Sequence, residues 1–175
     1  MSSGREGAPN RRAARIDSSL LHVCDAVATE LWKHGNDPSL VHADVLISLL
    51  AARQDGIVAW EQLMALGIGR GVVARRVQRG TLRALHVGVY LWGAPAVCFE
   101  GRIRAAAIAG GADVFASHEA SSALWAFRPA PKGPIDVTAV GRTVRARGIR
   151  GHEVTALAAA DIRTCRGIRV TAPAR

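Results

Sequence analysis

The chain has few lysines, few cysteines, few aromatics and no long apolar run. Among its 175 residues only Lys33 and Lys132 are lysines, against 21 arginines. That bias favours planar, bidentate contacts to phosphate or guanine. A GC-rich coding sequence produces the same bias. The three cysteines, Cys24, Cys98 and Cys165, are far apart and odd in number, with no CxxC pair. A disulfide framework or zinc ribbon therefore has no basis, each cysteine reads as a small, half-buried apolar residue, and a reducing cytoplasm fits best. No apolar run reaches the roughly 18 residues of a membrane span. The opening MSSGREGAPNRRAARID lacks an apolar core, so neither a secretory signal nor a membrane partner is expected.

Catalytic signatures are equally scarce. Ser121-Ser122 sits in no G-x-S-x-G elbow, and the Gly67-Ile68-Gly69-Arg70-Gly71 run lacks the Lys-Ser/Thr of a phosphate loop. There is no HExxH, and neither lysine stands in a carboxylate–lysine set of nuclease type. No catalytic residue, metal ligand or cofactor is therefore expected, and the chain reads as a non-enzyme.

What is present is a foldable chain of 49% hydrophobic and 21% charged residues, long enough for one large or two small domains. Its net charge of +9 is unevenly spread: 0 over residues 1–42, +3 over 43–95 and +6 over 96–175. Residues 1–16 read as a disordered tail. Residues 17–42 read as a helix and linker, with Asp17 or Ser18 as cap and Leu20, Cys24, Val27 and Leu31 as its apolar stripe.

From residue 43 the expected order is a helix over 43–54, a short strand over 57–59 and a helix over 60–66. Then come a glycine turn, a helix over 70–79 and two β-like runs over 82–86 and 89–92. That order is the order of a winged helix-turn-helix occupying 43–95. Leu82, Leu85, Val89 and Leu91 are its packing residues, and Trp60, Trp92 and Trp125 read as core anchors. After Pro95 a small domain over 96–175 is expected: helices over 99–110 and 117–127 with Ser117 as N-cap, a linker over 129–134, and strands over 135–140, 148–154 and 161–171. The last folds into a hairpin through Arg166-Gly167. The fold class is α+β.

A wheel at 100° per residue, with Arg70 at 0°, places Val73 and Val77 near 300° and 340°, about the core direction. Arg75, Gln78, Arg79 and Val72 then point away. Arg pairs with guanine, Gln with adenine, and Val touches a thymine methyl. Arg70 opens the helix, where backbone N–H groups favour phosphate. A charged helix face is often merely solvated. Here it comes after a tight turn and precedes a hairpin carrying Arg83 and His86, which points to DNA. The expected contact set is Arg70, Val72, Arg75, Arg76, Gln78, Arg79, Arg83 and His86, on double-stranded DNA. His118-Glu119 and His152-Glu153 offer a metal alternative, but adjacent residues diverge by about 100° on a helix and 180° on a strand. His118 reads instead as a helix N1 residue and His152 as a strand surface residue.

Gln54-Asp55-Gly56-Ile57-Val58, Gln62-Leu63, Leu66-Gly67-Ile68, Arg76-Val77-Gln78-Arg79-Gly80-Thr81-Leu82 and His86-Val87-Gly88-Val89-Tyr90 resemble the N-terminal winged helix of AbiEi-type antitoxins, especially actinobacterial ones. Downstream, Ser117-His118-Glu119-Ala120-Ser121-Ser122-Ala123-Leu124-Trp125, Ile135-Asp136-Val137-Thr138 and the Gly167-to-Arg175 segment resemble the region C-terminal to the winged helix in those proteins. The resemblance covers about 43–175 and leaves 1–42 outside. It implies a DNA-binding antitoxin or transcriptional regulator of a toxin–antitoxin system that counters a nucleotidyltransferase-type toxin without a stable complex. Gly69 and Gly71 depart from the serines frequent at the start of the family's recognition helix. Many relatives run on past the Thr-Ala-Pro-Ala-Arg segment, often into an endonuclease-like domain, so the chain resembles a short or truncated relative. The alternatives are a remnant of a nuclease-fused protein and a toxin-interaction module formed by 96–175.

Overall fold

The computed structural model describes residues 18–38, 41–93 and 96–173. The expected tail, the Asp17 cap, the Pro95 boundary and the final Ala174-Arg175 lie outside the described residues, as do the side chains of Ser18 and Leu20. The fold is α+β, with six helices and two sheets among the described residues.

Helix α1, Ser18–Lys33, buries Cys24, Val27 and Leu31, the spacing-three-and-four stripe read from the sequence. It packs on α2, Ala43–Ala52, and α3, Trp60–Ala65. Strand β1, Ile57–Ala59, separates those two helices, and α4, Arg70–Gln78, succeeds the Gly67-Ile68-Gly69 turn. Strands β2, Leu82–His86, and β3, Val89–Trp92, form the hairpin. The three strands make an antiparallel sheet in the order β1-β3-β2. The winged helix-turn-helix order expected from the sequence is thus the observed one.

Two buried glutamines pin its centre. The Gln54 and Gln62 side-chain amides bond reciprocally at 2.9 Å, and Gln54 also donates to the Ile57 carbonyl. Gln62 Oε1 further accepts from the Ala59 N–H at the start of α3. Each buried donor or acceptor lost here would cost about 1–3 kcal/mol, so the pair fixes α2, β1 and α3 relative to one another.

The second sheet has five strands, in the order β6 (Ile149–Val154), β5 (Ile135–Val140), β4 (Val114–Ala116), β8 (Ile168–Thr171) and β7 (Ile162–Cys165). Strand β4, Val114–Ala116, is not among the elements expected from the sequence. Strands β5, Ile135–Val140, and β6, Ile149–Val154, pair in parallel, and β7, Ile162–Cys165, and β8, Ile168–Thr171, form the expected hairpin. Helices α5, Phe99–Gly110, and α6, His118–Leu124, cover one face, burying Val114, Ala116, Ile135, Val137, Ala139, Ile168 and Val170. The β5–β6 crossover passes so close to β6 that a Cβ on Gly151 would meet the Val144 carbonyl oxygen at 2.2 Å. Only glycine fits there.

Helix α5 serves both halves. Its Ala105 packs with Ile57, Val89 and Leu91, while Ile103 and Ala106 belong to the second core. Arg104 on the same helix donates to Asp55 at 2.8 Å and to the carbonyls of Gly167 and Arg166. Ser117 takes the N-cap position of α6, but its hydroxyl makes no cap bond and lies 3.1 Å from His118 Nδ1, contrary to expectation.

Candidate nucleic-acid interface

Helix α4 begins at Gly69, whose backbone is extended and which has no side chain to cap the first N–H groups. Its C-terminus is closed by the Thr81 hydroxyl, which donates to the Arg76 carbonyl at 3.2 Å. Arg75, Gln78 and Arg79 are exposed, as the wheel predicts, and so is Arg70. Arg70 additionally lies over the Trp60 ring, 5.7 Å from its centroid, an arrangement that holds the guanidinium at the helix start.

Two valines exchange the roles expected of them. Val77 is 38% exposed, whereas Val72 is half-buried against the first core beside the fully buried Val73. The reason is Arg76. Its Nε donates to Asp44 on α2 at 2.5 Å, its NH1 donates to the Val72 carbonyl, and its side chain is 14% exposed. Val72, Val73 and Arg76 therefore define the inward side, rotating the helix by about 70° from a wheel centred on Val73 and Val77. The outward side becomes Arg70, Ala74, Arg75, Val77, Gln78 and Arg79. Val72 and Arg76, both in the expected contact set, hold the helix in place.

The hairpin supplies the rest. Leu82, Val89 and Leu91 are buried and Leu85 packs on the cluster shared with α5, as expected. Arg83 is exposed, and His86 is half-buried beyond an irregularity of register between Ala84 and His86. Burial lowers the His86 pKa below its ordinary 6.5, so its ring is neutral at pH 7. At the tip, Val87 is fully exposed, and Gly88 has φ +72°, the left-handed geometry of the turn. Between Glu61 and Glu100 the chain carries no carboxylate side chain. The α4–hairpin surface is therefore cationic, with guanidinium and amide donors on a helix face of groove-compatible size.

A second cluster is not legible in the sequence. Asp136, on the β5 face opposite the helices, has a side chain 2% exposed. His152 Nε2 lies 2.8 Å from its Oδ1, and Arg150 NH1 3.4 Å from the same oxygen. The His118 ring stacks on His152 with centroids 3.8 Å apart. The two histidines hold the positions expected, helix start and strand, yet they meet. The available signal is the alternation of Ile135-Asp136-Val137-Thr138, which puts a carboxylate on the non-helical face; the partner strand cannot be read from it. No group of three or more metal-ligating side chains occurs among the described residues. Nor, among them, is any helix long and apolar enough to cross a membrane.

The three cysteines form no disulfide among the described residues: Cys24 is buried, Cys165 half-buried and Cys98 exposed. Burial, with a smaller effect of Asp25, pushes the Cys24 thiol up to about 11, leaving it an inert packing group. No protein-family model matches the chain, and no curated protein matches it.

Proposed function

We propose that the protein is a DNA-binding, antitoxin-like transcriptional regulator that reads operator DNA through α4 and anchors through the β2–β3 hairpin. The observation that carries this reading is the outward face of α4. It presents Arg70, Arg75, Gln78 and Arg79 together, next to a hairpin bearing Arg83, with no carboxylate side chain between Glu61 and Glu100. Gln78 lies mid-face with Arg75 on the adjoining flank, halfway along the helix, and these two are the candidates for base edges; Arg70, Arg79 and Arg83 stand at the ends and on the hairpin and suit phosphates. The antitoxin assignment rests on the resemblance of the quoted motif residues to those of AbiEi-type antitoxins. It makes a nucleotidyltransferase-type toxin the functional partner, countered without a stable complex in a cytoplasmic setting.

The test is a binding titration on DNA from upstream of the chain's own coding sequence, at several salt concentrations. Affinity is expected to fall steeply with salt, because neutralised phosphates release counterions. Absence of binding at low salt, or binding indifferent to salt, rejects the reading. Co-expression with a neighbouring toxin tests the antitoxin part separately: rescue of growth without co-purification supports it. Stable co-purification would favour a toxin-interaction module instead. With Mg²⁺, Mn²⁺ or Zn²⁺ added, the purified protein is expected to leave DNA and RNA intact.

A further inference from the structure

The start of α6 is joined to β6, an edge of the second sheet, by two stacked rings. His118 and His152 have centroids 3.8 Å apart and planes inclined by 23°. His118 holds its place with φ at +49°, a left-handed backbone costly for a residue with a Cβ. Beneath the stack, one oxygen of Asp136 meets both His152 and Arg150. The other, Oδ2, is buried and has no hydrogen-bond partner among the described residues. A buried carboxylate is costly unless paired, so the charge of Asp136 leans on His152 and Arg150.

We propose that the His118–His152 stack is a proton-operated latch. It is closed while His118 is neutral, and it opens when His118 takes a proton close to the Arg150 guanidinium and the His152 ring, releasing the first turn of α6 from β6.

The groups facing His118 are His152 and Arg150 from β6 and Asp136 from β5; Glu119 is its neighbour on its own helix. Burial, then the charge of His152, lowers the His118 pKa from the ordinary 6.5; Asp136 opposes this, and Arg150 adds to the lowering. A cation at the first position of α6 is also unfavourable at the positive end of the helix dipole. Because the pKa is lowered, the closed stack is favoured above the ordinary imidazole range and is lost as pH falls through the His118 value. Opening also relieves the left-handed backbone at His118, against which stand the Ser117 hydroxyl, 3.1 Å from His118 Nδ1, and the attraction of Asp136.

The test is nuclear magnetic resonance of the full chain, tracking histidine ring protons and backbone amides from about pH 7.5 to pH 4.5, the window in which imidazoles titrate. The His118 ring is expected to titrate below 6.5. Amides of His118, Glu119, Ala120 and His152 should move with the same midpoint, and the ring-to-ring proximity signal should vanish below it. Arg150→Gln removes a facing charge from a side chain that is 54% exposed and keeps an amide N–H that can donate to Asp136. In that variant the His118 midpoint is expected to rise. In folded His118→Gln, the shifts of the Glu119 and Ala120 amides that follow the His118 midpoint should disappear. A His118 midpoint at or above the ordinary value, a midpoint unmoved by Arg150→Gln, or a stack that persists below the midpoint overturns the proposal. None of these readouts depends on DNA binding.

Discussion

Arg76 Nε lies 2.5 Å from Asp44 Oδ1, tying α4 to α2 across the first core. This bond turns an arginine of the basic run inward and sets the rotation of the whole helix. With only 14% of the Arg76 side chain exposed, the pair is partly shielded from water and salt. Arg76→Ala is expected to cost about 1–2 kcal/mol of folding stability, between the values for exposed and buried pairs. Denaturant titration of Arg76→Ala, Asp44→Asn and the double variant measures the coupling. Additive losses would mean the bond contributes nothing and the helix is oriented by Val72 and Val73 alone.

Arg75 and Arg83 should fail differently. Arg75 is exposed mid-helix, so Arg75→Ala is expected to cost about 1–3 kcal/mol on the operator and to relax preference at one or two base pairs. Arg83 lies on the hairpin. Arg83→Ala is expected to weaken operator and scrambled duplexes alike and to lower the salt slope by about one. Titrations on both duplexes at several salt concentrations separate the two. Unchanged operator affinity in both folded variants would remove the assignment of reading helix and wing.

The order of elements is legible in the sequence because each boundary carries its own local chemistry. Gly67 through Gly69 break one helix, Val87-Gly88 turns the hairpin, and Arg166-Gly167 turns another. The features that are not legible depend on distant partners. The face of α4 differs from the wheel because two valines, Val73 and Val77, outweigh there an arginine whose partner Asp44 lies 32 residues away. Strand β4, Val114–Ala116, has three residues, all buried, and so shows no alternation to read. Asp136 is placed on a strand by its pattern, but its meeting with His152 requires the parallel β5–β6 register, which pairs Thr138 with His152.

The observed rotation of α4 reverses one expectation drawn from the sequence. Val77 is 38% exposed and Val73 is 2% exposed. Val77→Asp is therefore expected to fold, whereas Val73→Asp places a charge in the first core and should unfold the domain. Circular dichroism with thermal melts decides. If Val77→Asp alone unfolded the protein, the wheel centred on Val73 and Val77 would be the correct one. A folded Val77→Asp should still bind DNA less well, because a carboxylate then sits among the arginines of the outward side of α4.

His86 couples the wing to pH with two opposite signs. Its half-buried ring has a lowered pKa, because burial disfavours the cation. The contribution of the neutral ring to folding is therefore present above the ordinary 6.5 and is lost as pH falls through the lowered value. On the proposed function, bound DNA is expected to act the other way: a phosphate beside the ring would favour the imidazolium, so that the complex takes up a proton that the free protein lacks at pH 7. Operator affinity should accordingly rise as the solution is acidified toward the His86 pKa, while thermal stability of the free protein falls. His86→Gln keeps a hydrogen-bond donor but cannot titrate; it should flatten the affinity profile without abolishing binding. The measurement is operator binding at fixed ionic strength between about pH 8 and pH 6, in parallel with melts of both proteins. A flat profile in the original protein, or an equal slope in His86→Gln, would place His86 away from the phosphates and leave the wing to Arg83.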